Sequence, residues 1–165
     1  MLAKRYKGQL YAQADEFIDF IIDAANRMQS LINDLLALSK INTKGKDFNK
    51  TNISAIIESL VVDLQALIEE NKVTITSEQL PVLVVDAMQI KQLFQNLIVN
   101  AIKFKNGQTP KIHVSAKEQE SEWLFSVTDN GIGFDMEYAE RIFQVFQRLH
   151  KREEYPGTGI GLAIC

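Results

Sequence analysis

Gln92-Leu93-Phe94-Gln95-Asn96-Leu97-Ile98-Val99-Asn100-Ala101-Ile102-Lys103-Phe104 is the stretch on which the reading of this chain turns. Leu93, Leu97, Ile98, Ala101 and Ile102 recur at helical spacing and form an apolar face. Asn96, Asn100 and Lys103 follow one another at steps of four and three, so they share the neighbouring face. Two amides and an ammonium add little to a core. They suit a polyphosphate: the lysine neutralises charge, and amide oxygens can ligate a hard cation such as Mg²⁺. Taken alone, the row is more simply a solvated helix face. Asp86 is placed to cap this helix, with Gln89 at the capping-box position, and the helix is predicted to run to about Phe104.

Beyond it, Asn106-Gly107 marks a turn, and two strands are predicted over 111–117 and 123–129. Trp123, Phe125 and Val127 share strand parity with Asp129, which should therefore point toward the packed face at the strand's end. A carboxylate there needs a partner, because burying it bare is costly. The exocyclic amine of adenine is one candidate; a capped turn after the strand is the competing reading. In Asp129-Asn130-Gly131-Ile132-Gly133 the glycines let backbone approach a flat base closely. A short helix is predicted over 136–146, followed by a charged stretch over 147–155. Gly157-Thr158-Gly159-Ile160-Gly161-Leu162-Ala163 then opens a new helix, and such a loop can cradle phosphate through its N–H groups. It is not a Walker A loop, since no Gly-Lys-Ser/Thr follows, and it lacks the buried strand of a dinucleotide-binding unit.

On the N-terminal side, a helix is predicted over 52–71, with short strands over 73–76 and 82–85. A polar stretch over 42–47 is the best candidate linker. Before it, Tyr11, Ala14, Ile18, Ile21, Ala25, Met28, Ile32 and Leu35 form a heptad seam on a long helix over 11–42. Phe17, Ala24, Leu31 and Leu38 make a second stripe beside it, so the surface suits a helix of a four-helix bundle. One helix cannot cover this surface, which favours a homodimer. Two regions are expected: a partial helical dimerisation region over 1–44 and a nucleotide-binding domain over 45–165. The predicted class is α+β, a two-layer sandwich with a mixed, mainly antiparallel sheet.

Composition narrows the function. The chain has 165 residues, 46% hydrophobic and 24% charged, which suffices for a buried core. With 18 basic and 21 acidic residues the net charge is −3, so nucleic acid is a poor partner. One cysteine, Cys165, excludes an internal disulfide and fits a reducing compartment. No apolar run approaches the roughly 18 residues of a membrane span, and no signal peptide is evident. A cytoplasmic domain without membrane contact is expected.

Three modest signals in one order carry more weight together. Residues 92–104 resemble the N box of sensor histidine kinases, and Asp129-x-Gly131-x-Gly133 resembles their G1 box. Arg141-Ile142-Phe143-Gln144-Val145-Phe146 resembles the F box, and Gly157-x-Gly159-x-Gly161 the G2 box. Residues 24–36 resemble the second dimerisation helix of phytochrome-like and PAS-linked kinases, and Phe146-Gln147-Arg148-Leu149-His150 and residues 154–159 fit that same subgroup. The resemblance implies the ATP-binding fold shared by histidine kinases and Hsp90 (the Bergerat fold). It implies ATP and Mg²⁺ as ligands, Asn100 on the metal with Asn96 beside it, Lys103 at phosphate, and Phe104 lining the site. It further implies Asp129 accepting from adenine N6, with Gly131, Ile132 and Gly133 around the base. Gly157, Thr158, Gly159, Ile160, Gly161 and Leu162 would close over the phosphates, with 147–156 as a mobile lid. A receiver-domain aspartate of a response regulator would be the usual final phosphate acceptor.

The family's phosphoacceptor histidine belongs on the first dimerisation helix, and is expected upstream of residue 1. The family's further glycine motif and closing strand pair are expected after Cys165. The chain then reads as a piece of a larger kinase that binds ATP without autophosphorylating alone, and whose open sheet edge invites aggregation. His113 is expected to be a solvated sheet residue, His150 a cationic lid residue, and Cys165 a small buried hydrophobe. An ATP hydrolase of the same superfamily is the runner-up. Those enzymes carry a glutamate base where this chain has Asn96, and an amide cannot take that proton. A non-catalytic docking module is the third reading, opposed by the intact Asn100, Asp129 and glycine motifs.

Overall fold

The computed structural model describes residues 6–8, 11–43, 48–149, 154–155 and 157–165. Helix α1, Ala12–Thr43, matches the heptad reading. Ile18 is buried, while Phe17, Phe20, Ile21, Met28, Ile32, Leu35 and Leu36 are exposed, so much of the seam lies open. Most of the predicted linker, 44–47, lies outside the described residues.

A short strand that the sequence reading did not foresee follows: β1, Asn49–Asn52. It pairs antiparallel with β3, Val82–Val85. Asn52 ends the strand and caps α2, Ile53–Asp63, its side chain accepting from the Ser54 N–H. The single helix expected over 52–71 is two helices. The backbone leaves helical geometry at Leu64 (φ −96°, ψ 9°) before α3, Gln65–Asn71. This bend keeps Leu64, Leu67 and Ile68 against the core.

Strand β2, Thr74–Ser77, pairs in parallel with β4, Lys111–Glu118, which pairs antiparallel with β5, Trp123–Asp129. The strands therefore form two hydrogen-bonded sheets, β1-β3 and β2-β4-β5, where one mixed sheet was expected. Helix α4, Ala87–Lys103, is capped by Asp86, whose side chain accepts from the Met88 and Gln89 N–H groups. Ile53 and Leu60 of α2, Phe94 and Ile98 of α4, and Ile112 and Val114 of β4 are almost wholly buried together. Each such side chain stabilises by about 1.5–3 kcal/mol relative to exposure. Phe94 meets Phe125 of β5 edge-on, with ring centroids 5.8 Å apart. Helices over a mixed sheet make the expected two-layer α+β sandwich. The helix predicted over 136–146 is instead two 3₁₀ turns, Met136–Tyr138 and Arg141–Phe143. Gln144 is extended and Phe146 has φ +67°, so no helix passes through them.

Candidate functional site

The roll of α4 decides what the site presents. Buried Phe94, Ile98, Ala101 and Ile102 fix one side of the helix in the core, which turns Asn96, Asn100 and Lys103 toward a cavity of about 680 Å³. Asn96 is already engaged: its Nδ2 donates to the Gly161 carbonyl at 2.8 Å, and its Oδ1 accepts from Gln92 at 3.0 Å. The side-chain amide of Asn100 makes no hydrogen bond among the described residues. Lys103 Nζ lies 4.5 Å from the Phe104 ring centroid. Burial, and after it the charge of Arg148, push the Lys103 ammonium below its ordinary pKa.

The second motif is bound to the end of this helix. The Phe104 carbonyl accepts from Ile132 N–H at 2.9 Å. Asp129 Oδ1 accepts from Gly131 N–H at 2.7 Å. A Cβ on Gly131 would stand 2.5 Å from the Phe104 oxygen and 2.7 Å from Asp129 Oδ1, so the turn demands glycine. Asn130 secures the loop by donating to the Thr109 carbonyl and accepting from Lys111 N–H. Asp129 lies at the end of β5 on the side that faces α4, but it is not buried there. It is exposed and lines the cavity that the α4 face also lines.

The glycine-rich loop closes the third side. Gly159 has φ +76°, and a Cβ there would meet the Gln147 and Phe146 backbone at 3.0 and 3.1 Å. Its carbonyl accepts from Phe146 N–H at 2.9 Å. Arg148 donates to the Gly157 and Tyr155 carbonyls, and Tyr155 rests on Phe104 with centroids 4.9 Å apart. Thr158 donates to Asp34 of α1. The loop leads into a 3₁₀ turn, Gly161–Ile164.

The cavity thus brings together Asn96, Asn100, Lys103, Phe104, Asp129, Gly133, Gly157, Thr158, Gly159, Gly161 and Leu162. Gly131, Ile132 and Ile160 do not line it. Gly131 and Ile132 act through the backbone, and Ile160 is fully buried beneath the loop. Sequence reasoning missed Asp34, Arg148 and Tyr155 as lining residues. Arg148 and Tyr155 stood in the charged stretch read as a lid, whereas Asp34 had no local signal. His150 and much of the rest of that stretch lie outside the described residues. His113 sits away from the cavity, on the outer sheet face. Its Nδ1 pairs with Thr76 Oγ1 at 2.9 Å and its Nε2 lies 3.7 Å from Glu78, as suits a solvated sheet residue. Cys165 is exposed, not buried, with Sγ 3.5 Å from the Gly161 carbonyl. Among the described residues, no helix is long and apolar enough to cross a membrane.

Residues 85–165 match the family of histidine kinase-, DNA gyrase B-, and HSP90-like ATPases, and the chain is 33% identical over 160 residues to the sensor histidine kinase WalK of Bacillus subtilis, covering 92% of this chain and 26% of that protein. It is 48% identical over 165 residues to cyanobacterial phytochrome A of Nostoc sp., covering all of this chain and 22% of that protein. The chain therefore spans about a fifth of the length of such relatives. Full-length ShkA, solved in complex with AMPPNP, superposes with a TM-score of 0.72 at 22% identity, over 96% of this chain and 34% of that one. The histidine kinase ThkA, solved in complex with the response regulator protein TrrA, superposes with a TM-score of 0.67 at 22% identity. That match covers 92% of this chain and 46% of that one.

Proposed function

We propose that this chain is the nucleotide-handling part of a sensor histidine kinase. It binds Mg-ATP in the cavity and passes the γ-phosphoryl group to a histidine on a helical dimerisation region. A response-regulator aspartate then receives it. The carrying observation is convergence: three separated motifs meet around one cavity, with Lys103 and Arg148 as its cations among the described residues. The volume suits a nucleotide, since ligand pockets run from about 300 to 1,000 Å³.

In this reading Asp129 accepts from the adenine amine, and Gly131 and Gly133 let the base approach. Phe104 lines the site, while Lys103 and the loop from Gly157 to Leu162 hold phosphate. The Asn100 amide oxygen is a fitting Mg²⁺ ligand: Mg²⁺ keeps several waters and takes few protein groups besides substrate phosphates. The ion, when bound, neutralises phosphate charge. Asn96 supports the loop through Gly161. Its amide offers no base for water, which weighs against the hydrolase reading. Residues 1–44 form part of the dimerisation region and 45–165 the catalytic domain. The exposed seam of α1 is the homodimer surface, and the setting is cytoplasmic. The ShkA nucleotide complex and the ThkA–TrrA complex support the ligand and the partner class by analogy of fold.

The test mixes this chain with γ-labelled Mg-ATP and a separate helical domain bearing a phosphoacceptor histidine. Acid-labile, base-stable label on the added domain is expected. Steady phosphate release with no labelled protein would favour the hydrolase instead.

A further inference from the structure

The Thr158 hydroxyl donates to Asp34 Oδ2 at 2.5 Å, joining the glycine-rich loop to α1 across most of the chain. The same hydroxyl accepts from Ile160 N–H at 3.4 Å. Asp34 is half-buried and lines the cavity beside Asn96 and Thr158. The Gly161–Ile164 turn packs on the same helix. A carboxylate carried by α1 is thus built into the wall of a cavity whose cations, among the described residues, are Lys103 and Arg148.

An ionised carboxylate offers only acceptors, as does a polyphosphate, so the two repel. Partial removal from water strengthens that repulsion. Thr158 has a single hydroxyl proton, and while Asp34 accepts it no phosphate oxygen can. We infer that Asp34 is a positioning residue that sets α1 docking against nucleotide loading. With α1 latched to Thr158 the cavity holds polyphosphate less tightly, and a polyphosphate in the cavity loosens the latch. The two effects are equal in size, because linkage between binding equilibria is reciprocal. This inference rests on the nucleotide reading above and adds a coupling to the neighbouring helix.

Asp34→Asn removes the charge at nearly constant size, and Asp34→Ala removes the acceptor as well. Affinities of the full chain and both variants for fluorescent ATP, ADP and AMP analogues, in excess Mg²⁺, test the coupling. Both variants are expected to bind the ATP analogue about fivefold more tightly or better. The gain should shrink from ATP to ADP to AMP, a trend that altered packing alone would not produce. Variants that bind ATP equally or more weakly than the parent, or gain equally for all three nucleotides, overturn the inference and leave the nucleotide reading intact. No saturable binding by any of the three chains overturns the nucleotide reading and the coupling with it.

Discussion

The carbonyl of Phe104, at the end of α4, accepts from Ile132 N–H at 2.9 Å, and this bond joins the two central motifs of the cavity. Gly131 lies in the turn that makes it possible. Gly131→Ala would force a methyl against the Phe104 oxygen and the Asp129 carboxylate, and neither can yield without breaking a hydrogen bond. Overpacking of this kind costs about 1–3 kcal/mol. Thermal unfolding should show a clear fall in Tm, together with weaker nucleotide binding. An unchanged Tm would mean that the turn relaxes freely.

Ile160 sits within the glycine motif yet is fully buried. That burial suits an anchor for the loop. Ile160→Ala should cost about 2–5 kcal/mol, as truncation of large buried aliphatic side chains does. Denaturant unfolding checks it. A loss of affinity at full stability would return Ile160 to the cavity wall.

The α4 helix, its Asp86 cap, the β4-β5 pair and the three motifs were all legible in the sequence, because each carries its own periodicity, cap or glycine pattern. Strand β1 was not. Asn49-Lys50-Thr51-Asn52 is a polar strand with no apolar alternation, and pairing with β3 alone makes it a strand. The break at Leu64 was hidden as well, since apolar helical spacing continues across it. The 3₁₀ turns replace a helix because Gln144 and Phe146 take non-helical backbone. Within the site, the α4 face and glycine loops were readable. Asp34 was not, because only tertiary packing brings an α1 carboxylate to Thr158.

Burial and then Arg148 lower the Lys103 pKa. The charged lysine is therefore disfavoured in the folded chain. That cost to stability is present below the folded pKa and is relieved as pH rises through it. Polyanion binding runs the other way, because neutral Lys103 no longer attracts phosphate. Nucleotide affinity should fall on the alkaline side at a pH below that of an ordinary lysine, and Lys103→Arg should postpone the fall. Affinity that stays flat with pH until unfolding would contradict the assignment of Lys103 to phosphate.

Ile32 and Leu35 lie on the exposed seam of α1. If that seam is a dimer surface, Ile32→Glu and Leu35→Glu should convert a dimer to a monomer in sedimentation experiments without lowering the Tm of the α+β unit. A monomeric parent chain would rule the surface out as a homodimer interface at the concentrations used.

The central claim is that the cavity between α4, the Asp129 turn and the glycine loop binds Mg-ATP. Titration of the chain with a fluorescent ATP analogue in Mg²⁺, beside Asp129→Asn, tests it most directly. The asparagine can still accept from Gly131 N–H, so the turn survives while the charged acceptor for the adenine amine is lost. Saturable binding by the parent, weakened about tenfold or more in the variant, is the predicted result. No binding by the folded parent, or equal binding by both chains, would contradict it.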